Sequence, residues 1–273
     1  MNILNSARYN NNNSRVLNND ELRKLAPSIF AKAPANDRSD RYTFIPTNQV
    51  IDAMIKEGFY PVSAMESRAR KEEKKGFTKH LIRFRQHDGF MQKGDILPEV
   101  VLMNSHDGTS SYQLSSGLFR LACTNGLIVA DSEIETIRCR HSGNIVDDVI
   151  EGTYSIIEKT PLVAESVDSM KQIVLPEPAQ NAFARAAASL RWDDEELPVD
   201  PKSLNRVKRS SDQSNDLFTS MNRIQENIIR GGVRGINKKG QLRKTRPVNS
   251  VGENVRLNKA IWQLAEEMKK IMS

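Results

Sequence analysis

Seven cations stand between Glu226 and Glu253 with no acid among them: Arg230, Arg234, Lys238, Lys239, Arg243, Lys244 and Arg246. The chemistry open to such a stretch is neutralisation of a phosphate chain. Each phosphate met by Lys or Arg releases condensed counterions, so binding would depend steeply on salt. Glycines at 231, 232, 235 and 240 allow close backbone approach to the phosphates. No aromatic residue lies in the stretch, so base stacking is not expected there. Gly231, Gly232 and Gly235 have the wrong spacing for a dinucleotide fingerprint, and no strand is expected ahead of them.

A second basic group lies upstream. His80, Ile82 and Phe84 alternate onto one face of an extended segment, and Lys79, Arg83 and Arg85 share the other with Leu81. A hairpin with a basic face can lie along a nucleic-acid backbone. An ordinary solvated sheet face accounts for the same residues.

The remaining reactive side chains point to no complete site. The histidines are His80, His87, His106 and His141, and the cysteines are Cys123 and Cys139. Cys139 and His141 alternate onto one strand face with Cys123 on a neighbouring strand, but the spacing fits no closed zinc pattern, and buried thiols are expected. His106 beside Asp107 and Ser105 invites a hydrolase or nuclease reading. A triad is defined by geometry, however, and in a turn Asp107 is expected to serve its own backbone. Asp147–Asp148 and Asp193–Asp194 read as helix-start and linker charges. No Walker A motif or nucleophile elbow is present. No catalytic residue, metal or cofactor is expected.

Charge is unevenly spread. The net charge is +6 over 273 residues, yet Lys202–Ser273 alone holds 16 Lys and Arg against 6 Asp and Glu. A near-neutral body with a basic C-terminal part points to a polyanion partner. Met1 to Asn13 lacks the apolar core of a signal peptide, and no apolar run approaches the ~20 residues of a membrane span. With two cysteines and no disulfide framework, the expected setting is the reducing cytoplasm.

The elements that must position these groups follow from periodicity. Residues 1–18, with the run Asn10–Asn13, read as a disordered tail. Asn19–Asp20 is expected to cap a short helix carrying Leu22, Leu25 and Ile29, and Pro34 to Arg41 reads as a polar linker. Thr47 is expected to cap a helix carrying Val50, Ile51, Met54 and Ile55, stopped by Gly58. Tyr60–Arg68 and Phe77–Arg85 read as a hairpin with a charged loop. Val100–Met103 is a short buried strand, and His106–Gly108 turns into a strand over Tyr112–Cys123. Alternation changes phase at Gly117, which predicts a bulge. Asn125–Gly126 predicts a tight turn, and Ile134–His141 alternates once more.

From Asn144 the period is helical. Helices are expected through Ile145–Ile157, after Pro161, and over Gln180–Leu190. Trp192–Pro201, acidic and holding two prolines, reads as the internal boundary. An amphipathic helix over Leu217–Ile229 should end at Gly231–Gly232, followed by a basic loop from Val233 to Val251. Leu257, Ile261, Leu264, Met268 and Ile271 form a short heptad seam, too short for a coiled coil.

Several strings resemble a family of phage- and plasmid-encoded proteins with a domain of unknown function, the DUF932 family. They are Ile45-Pro46-Thr47 leading into Gly58–Val62, Lys79–Arg85, Asn104–Thr109, Phe119–Leu127 and Asn222–Gly232. The resemblance spans about residues 20 to 270. It implies a mobile element of bacteria or their phages and supplies no activity or catalytic residue.

The expected fold is α+β. An antiparallel sheet spans about residues 60–141, with helices packed after it and a basic helical C-terminal unit. The expected organisation is a disordered tail and short helix over 1–40, an α+β domain over 41–192 and a basic helical unit over 193–273 packed on the same domain. The expected function is non-enzymatic nucleic-acid binding for a mobile element, in replication, recombination or transfer. DNA phosphates would be held by Lys79, Arg83, Arg85 and the 230–246 cluster, with single strands preferred because no helix shows a major-groove recognition pattern. An interaction protein that inhibits a host defence or restriction factor is the alternative, and a nuclease a further one. Homo-oligomerisation stays open, and no membrane partner is expected.

Overall fold

The computed structural model describes residues 15–35, 44–69, 71–86, 96–121, 125–129, 136–139 and 144–272. The Asn10–Asn13 run, most of the linker at 36–41, His87, Cys123 and His141 lie outside them. The chain divides into two compact units. One comprises Met1–Ile128, Ser132–Thr160 and Asn249–Gly252, and the other Val129–Asp131, Pro161–Val248 and Glu253–Ser273. The division falls at Thr160–Pro161 rather than within Trp192–Pro201. The latter segment stays inside the second unit because Leu197 and Val199 are buried there.

The first unit opens with α1 (Asn19–Leu25), capped by Asn18, one residue ahead of the expected cap. Asn18 accepts from the Glu21 amide at 2.9 Å, and Glu21 accepts from the Asn18 amide at 3.0 Å. This reciprocal pair satisfies two of the donors that a helix start leaves open. Pro27 then starts a short 3-10 turn that takes in Ile29. Helix α2 (Thr47–Lys56) buries Val50, Ile51 and Met54. Gly58, at φ +83°, follows its last turn.

Strands β1 (Phe59–Glu66), β2 (His80–Gln86), β3 (Ile96–Asn104) and β4 (Tyr112–Arg120) form an antiparallel meander. Strands β5 (Asn125–Ile128) and β6 (Ile137–Cys139) both pair with β4, at its opposite ends. One sheet face carries Ile82, Phe84, Val100, Leu102, Tyr112 and Leu114 into a core closed by α1, α2 and α3 (Ile145–Glu158). Helices therefore precede the sheet as well as follow it. Cys139 lies in this core, where burial, then the charge of Asp148, pushes its thiol up to about 11.

Two turn expectations are corrected. The β3–β4 register runs unbroken through Glu99 opposite Gly117, so there is no bulge at Gly117. The phase change arises because Leu118 and Phe119, on opposite faces, are both buried. Asn125 and Gly126 are strand residues opposite Arg120 and Phe119, not a turn.

The second unit contains α4 (Thr160–Gln172, from Pro161 on), α5 (Glu177–Ser189), α6 (Leu217–Arg230) and α7 (Val251–Met272, from Glu253 on). Asp216 caps α6 by accepting from the Thr219 amide at 2.7 Å. From Glu253 on, the buried hydrophobic residues of α7 are Leu257, Ile261, Trp262 and Ala265, while Ile271 is exposed. A straight helix drifts by ~20° per heptad, which turns the expected seam away from burial by its last turn. Among the described residues no helix is long and apolar enough to cross a membrane.

A buried polar knot ties α2 to the sheet. Thr47 does not cap its helix; its hydroxyl lies 2.9 Å from His80 Nε2, 3.0 Å from His106 Nε2 and 3.2 Å from Asn104 Nδ2. Thr47, His80, Asn104 and His106 are fully buried. On its other side His80 Nδ1 lies 2.9 Å from the Ser28 hydroxyl, which can donate or accept, and 3.3 Å from the Thr78 carbonyl, which can only accept. Burial lowers His80 to about 4, against smaller opposing effects of the Thr78 carbonyl and the Asp107 charge. Above pH ~6.5 the residue is neutral whether the chain is folded or not, and contributes no pH dependence. As pH falls through ~6.5 the unfolded chain gains a proton that the fold refuses, so stability is lost until about pH 4, by roughly 3 kcal/mol in all. Urea-unfolding midpoints measured between these limits should fall with acidification, and His80→Gln should flatten that part of the profile.

Candidate nucleic-acid interface

The sequence-predicted cations separate into two groups with different surroundings. Lys79, Arg83 and Arg85 belong to the first unit, and the 230–246 cluster to the second.

Arg83 and Arg85 do not form an exposed basic face. Both bind Glu99 on the neighbouring strand, whose side chain has 0% exposure. Arg83 Nη1 donates to Glu99 Oε2 at 2.8 Å, and Arg85 Nε donates to Glu99 Oε1 at 2.8 Å. Arg83 also donates to the carbonyls of Leu127 and Gly126, and Arg85 stacks over Phe119 at 4.1 Å. A Cβ on Gly126 would lie 2.6 Å from Arg83 Cζ. Gly126 is therefore required by the guanidinium, not by a turn. Lys79 is half-buried just ahead of β2.

His106 and Asp107 form no acid–base pair. His106 is buried against Thr47, while the Asp107 carboxylate accepts from the Thr109 amide at 3.0 Å and its hydroxyl at 2.6 Å. Burial works to raise Asp107, but the bonds from Thr109 and Ser105 and the charge of Lys74 outweigh it and hold it below the usual carboxylate range.

The 230–246 cluster is built differently. Instead of a loop, it is a two-stranded ribbon of β7 (Arg234–Ile236) and β8 (Leu242–Lys244). Its base is pinned to α6. Gly231, at φ +64°, ends the helix, and a Cβ there would lie 2.6 Å from the Arg246 carbonyl carbon. The Gly232 amide donates to Thr245 at 2.9 Å, Thr245 to Val233 at 2.9 Å, and Val248 to Ile229 at 2.8 Å. Asn237 organises the tip by accepting from the amides of Lys239 at 3.0 Å and Gln241 at 2.9 Å. Gly240, at φ +72°, completes the turn. Strands of three residues are too short for a periodic signal, so the sequence alone shows a loop where the structure has a ribbon.

Arg234, Lys238, Lys239, Arg243, Lys244 and Arg246 are exposed. Arg234 and Lys244 are direct cross-strand partners, a like-charge pairing that costs stability. Lys238 pairs with Asp194 at 2.7 Å, and Arg230 lies 3.5 Å from Glu226. Among the described residues, Arg234, Lys239, Arg243, Lys244 and Arg246 have no carboxylate partner.

Beside the ribbon lies a cleft of about 720 Å³ lined by Arg234, Lys239, Arg243, Lys244 and Arg246 together with Arg191, Trp192, Glu195 and Glu196. In the sequence Trp192 marks only a boundary, and the basic stretch holds no aromatic of its own. The available signal is a tryptophan at the end of α5 next to an arginine, but the ribbon is too distant along the chain to be paired with it.

The family is decided by a match over most of the chain. The model of a domain of unknown function, DUF932, matches residues 35–262. The chain belongs to the DUF932 family. It is 42% identical over 254 residues to the UPF0380 protein YafZ of Escherichia coli (strain K12), covering 93% of this chain and 92% of that one. It is 41% identical over 254 residues to the UPF0380 protein YfjQ of the same strain, with the same coverage. No solved structure matches. The strings that carry the DUF932 resemblance hold several buried polar side chains of the first unit, Thr47, His80, Arg83, Asn104 and His106, and also Gly126, which makes room for Arg83. In the second unit, Asn222–Gly232 is the C-terminal part of α6 with the glycines that follow it, where Glu226 takes a bidentate bond from Arg209 at 2.7 and 2.8 Å. The exposed ribbon cations lie outside these DUF932 strings.

Stability measurements should separate the two groups of cations. Glu99→Ala strands two guanidinium groups around a buried gap and should cost about 3–5 kcal/mol in urea denaturation. Lys244→Ala, on the exposed ribbon, should stay within about 0.5 kcal/mol of the parent.

Proposed function

We propose that this DUF932 protein is a non-enzymatic nucleic-acid-binding protein of a mobile genetic element. It holds DNA phosphates on the cationic ribbon of β7 and β8 and serves replication, recombination or transfer of that element. The observation that carries the reading is the exposed facing pair Arg234 and Lys244, kept without a carboxylate among the described residues. Facing cations repel, and a phosphate between them turns that cost into attraction. Arg83 and Arg85 drop out of the binding surface, since Glu99 already occupies them. The mobile-element setting comes from the family resemblance.

One observation favours a second reading. Ile236 and Leu242 are also cross-strand partners, and they are 60% and 74% exposed. An exposed apolar pair between cations suits contact with a protein, which supports inhibition of a host defence or restriction factor.

The test is the Ala variant of Lys238, Lys239, Arg243 and Lys244, assayed by electrophoretic shift at several salt concentrations. Affinity should weaken about equally for all sequences. The slope of log affinity against log salt should become shallower by about 0.7–0.9 for each phosphate that is no longer neutralised. Unchanged affinity and slope would remove the ribbon from the binding surface. Absence of any DNA binding by the parent protein at low salt would put the protein-partner reading first.

A further inference from the structure

We propose that Trp192 is the stacking position of the cationic cleft and takes an unpaired base of single-stranded nucleic acid whose phosphates lie along the ribbon. This rests on the nucleic-acid reading above and adds to it the form of the ligand and the residue that selects it.

Three features converge on Trp192. First, it lines the same cleft as Arg234, Arg243, Lys244 and Arg246. The cleft's volume of about 720 Å³ falls in the range of pockets that enclose whole ligand moieties. An indole beside several cations is the pairing that single-strand binders use, the ring for the base and the cations for the backbone.

Second, the platform is already ordered. The Arg191 guanidinium stacks on the Trp192 ring at 4.7 Å. It is itself held by the carbonyls of Ile228 and Arg246, the latter at 2.8 Å. Bases stack on aromatic rings and on guanidinium planes alike. A stack fixed before binding loses little conformational freedom when a base arrives. Arg191 is also tied by this bond to the chain that carries Arg246, so platform and ribbon share one support.

Third, charge sorts the ligand within the cleft. Glu195 and Glu196 line it together with the cations. Carboxylates repel phosphates, so the backbone is confined to the ribbon and the uncharged base is the part that can approach Trp192. Their oxygens can also accept from N–H groups on the edges of unpaired bases, thymine N3–H among them. A duplex keeps its base faces inside its own stack and cannot offer one to the indole, so the arrangement selects an unpaired base.

The chain has two tryptophans, and the other, Trp262, is buried, so an emission change on binding reports Trp192. The full-length protein is titrated with an oligothymidine of about 20 nucleotides, an abasic oligomer of the same length and a duplex. Oligothymidine should quench the emission, and the quenching should vanish in Trp192→Phe while binding by electrophoretic shift persists. Trp192→Ala should bind oligothymidine about 5- to 150-fold more weakly with an unchanged salt slope. The abasic oligomer should bind the parent and Trp192→Ala equally. Parent-like oligothymidine affinity in Trp192→Ala, with the ribbon variant still impaired, overturns the stacking position and leaves the nucleic-acid reading standing. Tighter binding of the duplex without quenching overturns it as well. If the parent binds none of the three ligands at low salt, the nucleic-acid reading falls and the stacking position with it.

Discussion

Glu99 is a carboxylate shut away from water, and an ion in that position has to be met by opposite charge. Arg83 and Arg85 meet it from the next strand, and the sheet is shaped around the result. Gly126 gives up a side chain so that the guanidinium of Arg83 can pass, and Gly117, opposite Glu99, is equally confined by Val101 and Arg83. The Leu127 and Gly126 carbonyls take up two further donors of Arg83, which ties β5 to the same pair. Such an ion pair is weak evidence of stability in itself, because desolvation offsets most of the attraction. Its consequence is geometric: one register brings these groups together, and a slip by one residue would turn the charges onto the face that carries the hydrophobic core.

The same constraint sorts the cations of the whole chain. In the second unit Glu226 is buried on α6 and is met by Arg209, with Lys208 and Arg230 within 4 Å. Wherever a carboxylate is buried, the nearby arginines become structural. The ribbon has no buried carboxylate to serve, and its cations stay in water. Net charge and cation counts do not distinguish these fates, whereas the burial of the counter-ion does. A basic run is therefore informative about partners only after the internally neutralised members have been subtracted.

Local order is legible in the sequence, and long-range pairing is not. The β1–β2 hairpin, α2 and α6 follow from periodicity, because burial of one face imposes that period on any chain that folds this way. The α+β class follows from the same signals. Thr47 does stand at a helix start, as its type suggests, yet its role as a polar hub depends on His80, Asn104 and His106, which only the sheet brings to it. Asn125–Gly126 matches a turn signal for a different reason, the space Arg83 needs. The ribbon is hidden because its strands are short, and Trp192 because its neighbours in the cleft come from beyond α6. What is illegible in each case is a contact set by register or packing rather than by spacing along the chain.

The acidic segment beside the cleft gives the ribbon a ready-made competitor. Asp194 holds Lys238, and that bond, with the added charge of Lys238, keeps its carboxyl below the usual range. Both side chains are largely exposed, and exposed pairs of this kind contribute little because water and salt screen them. A phosphate chain brings several charges at once and releases counterions on arrival, which a single carboxylate cannot match. Exchange of Asp194 for phosphate at Lys238 is thus favourable for a polymer and nearly neutral for an isolated anion. On the proposed nucleic-acid reading, Asp194 therefore leaves Lys238 open to the polymer, and the other exposed cations of the ribbon have no carboxylate partner to displace among the described residues.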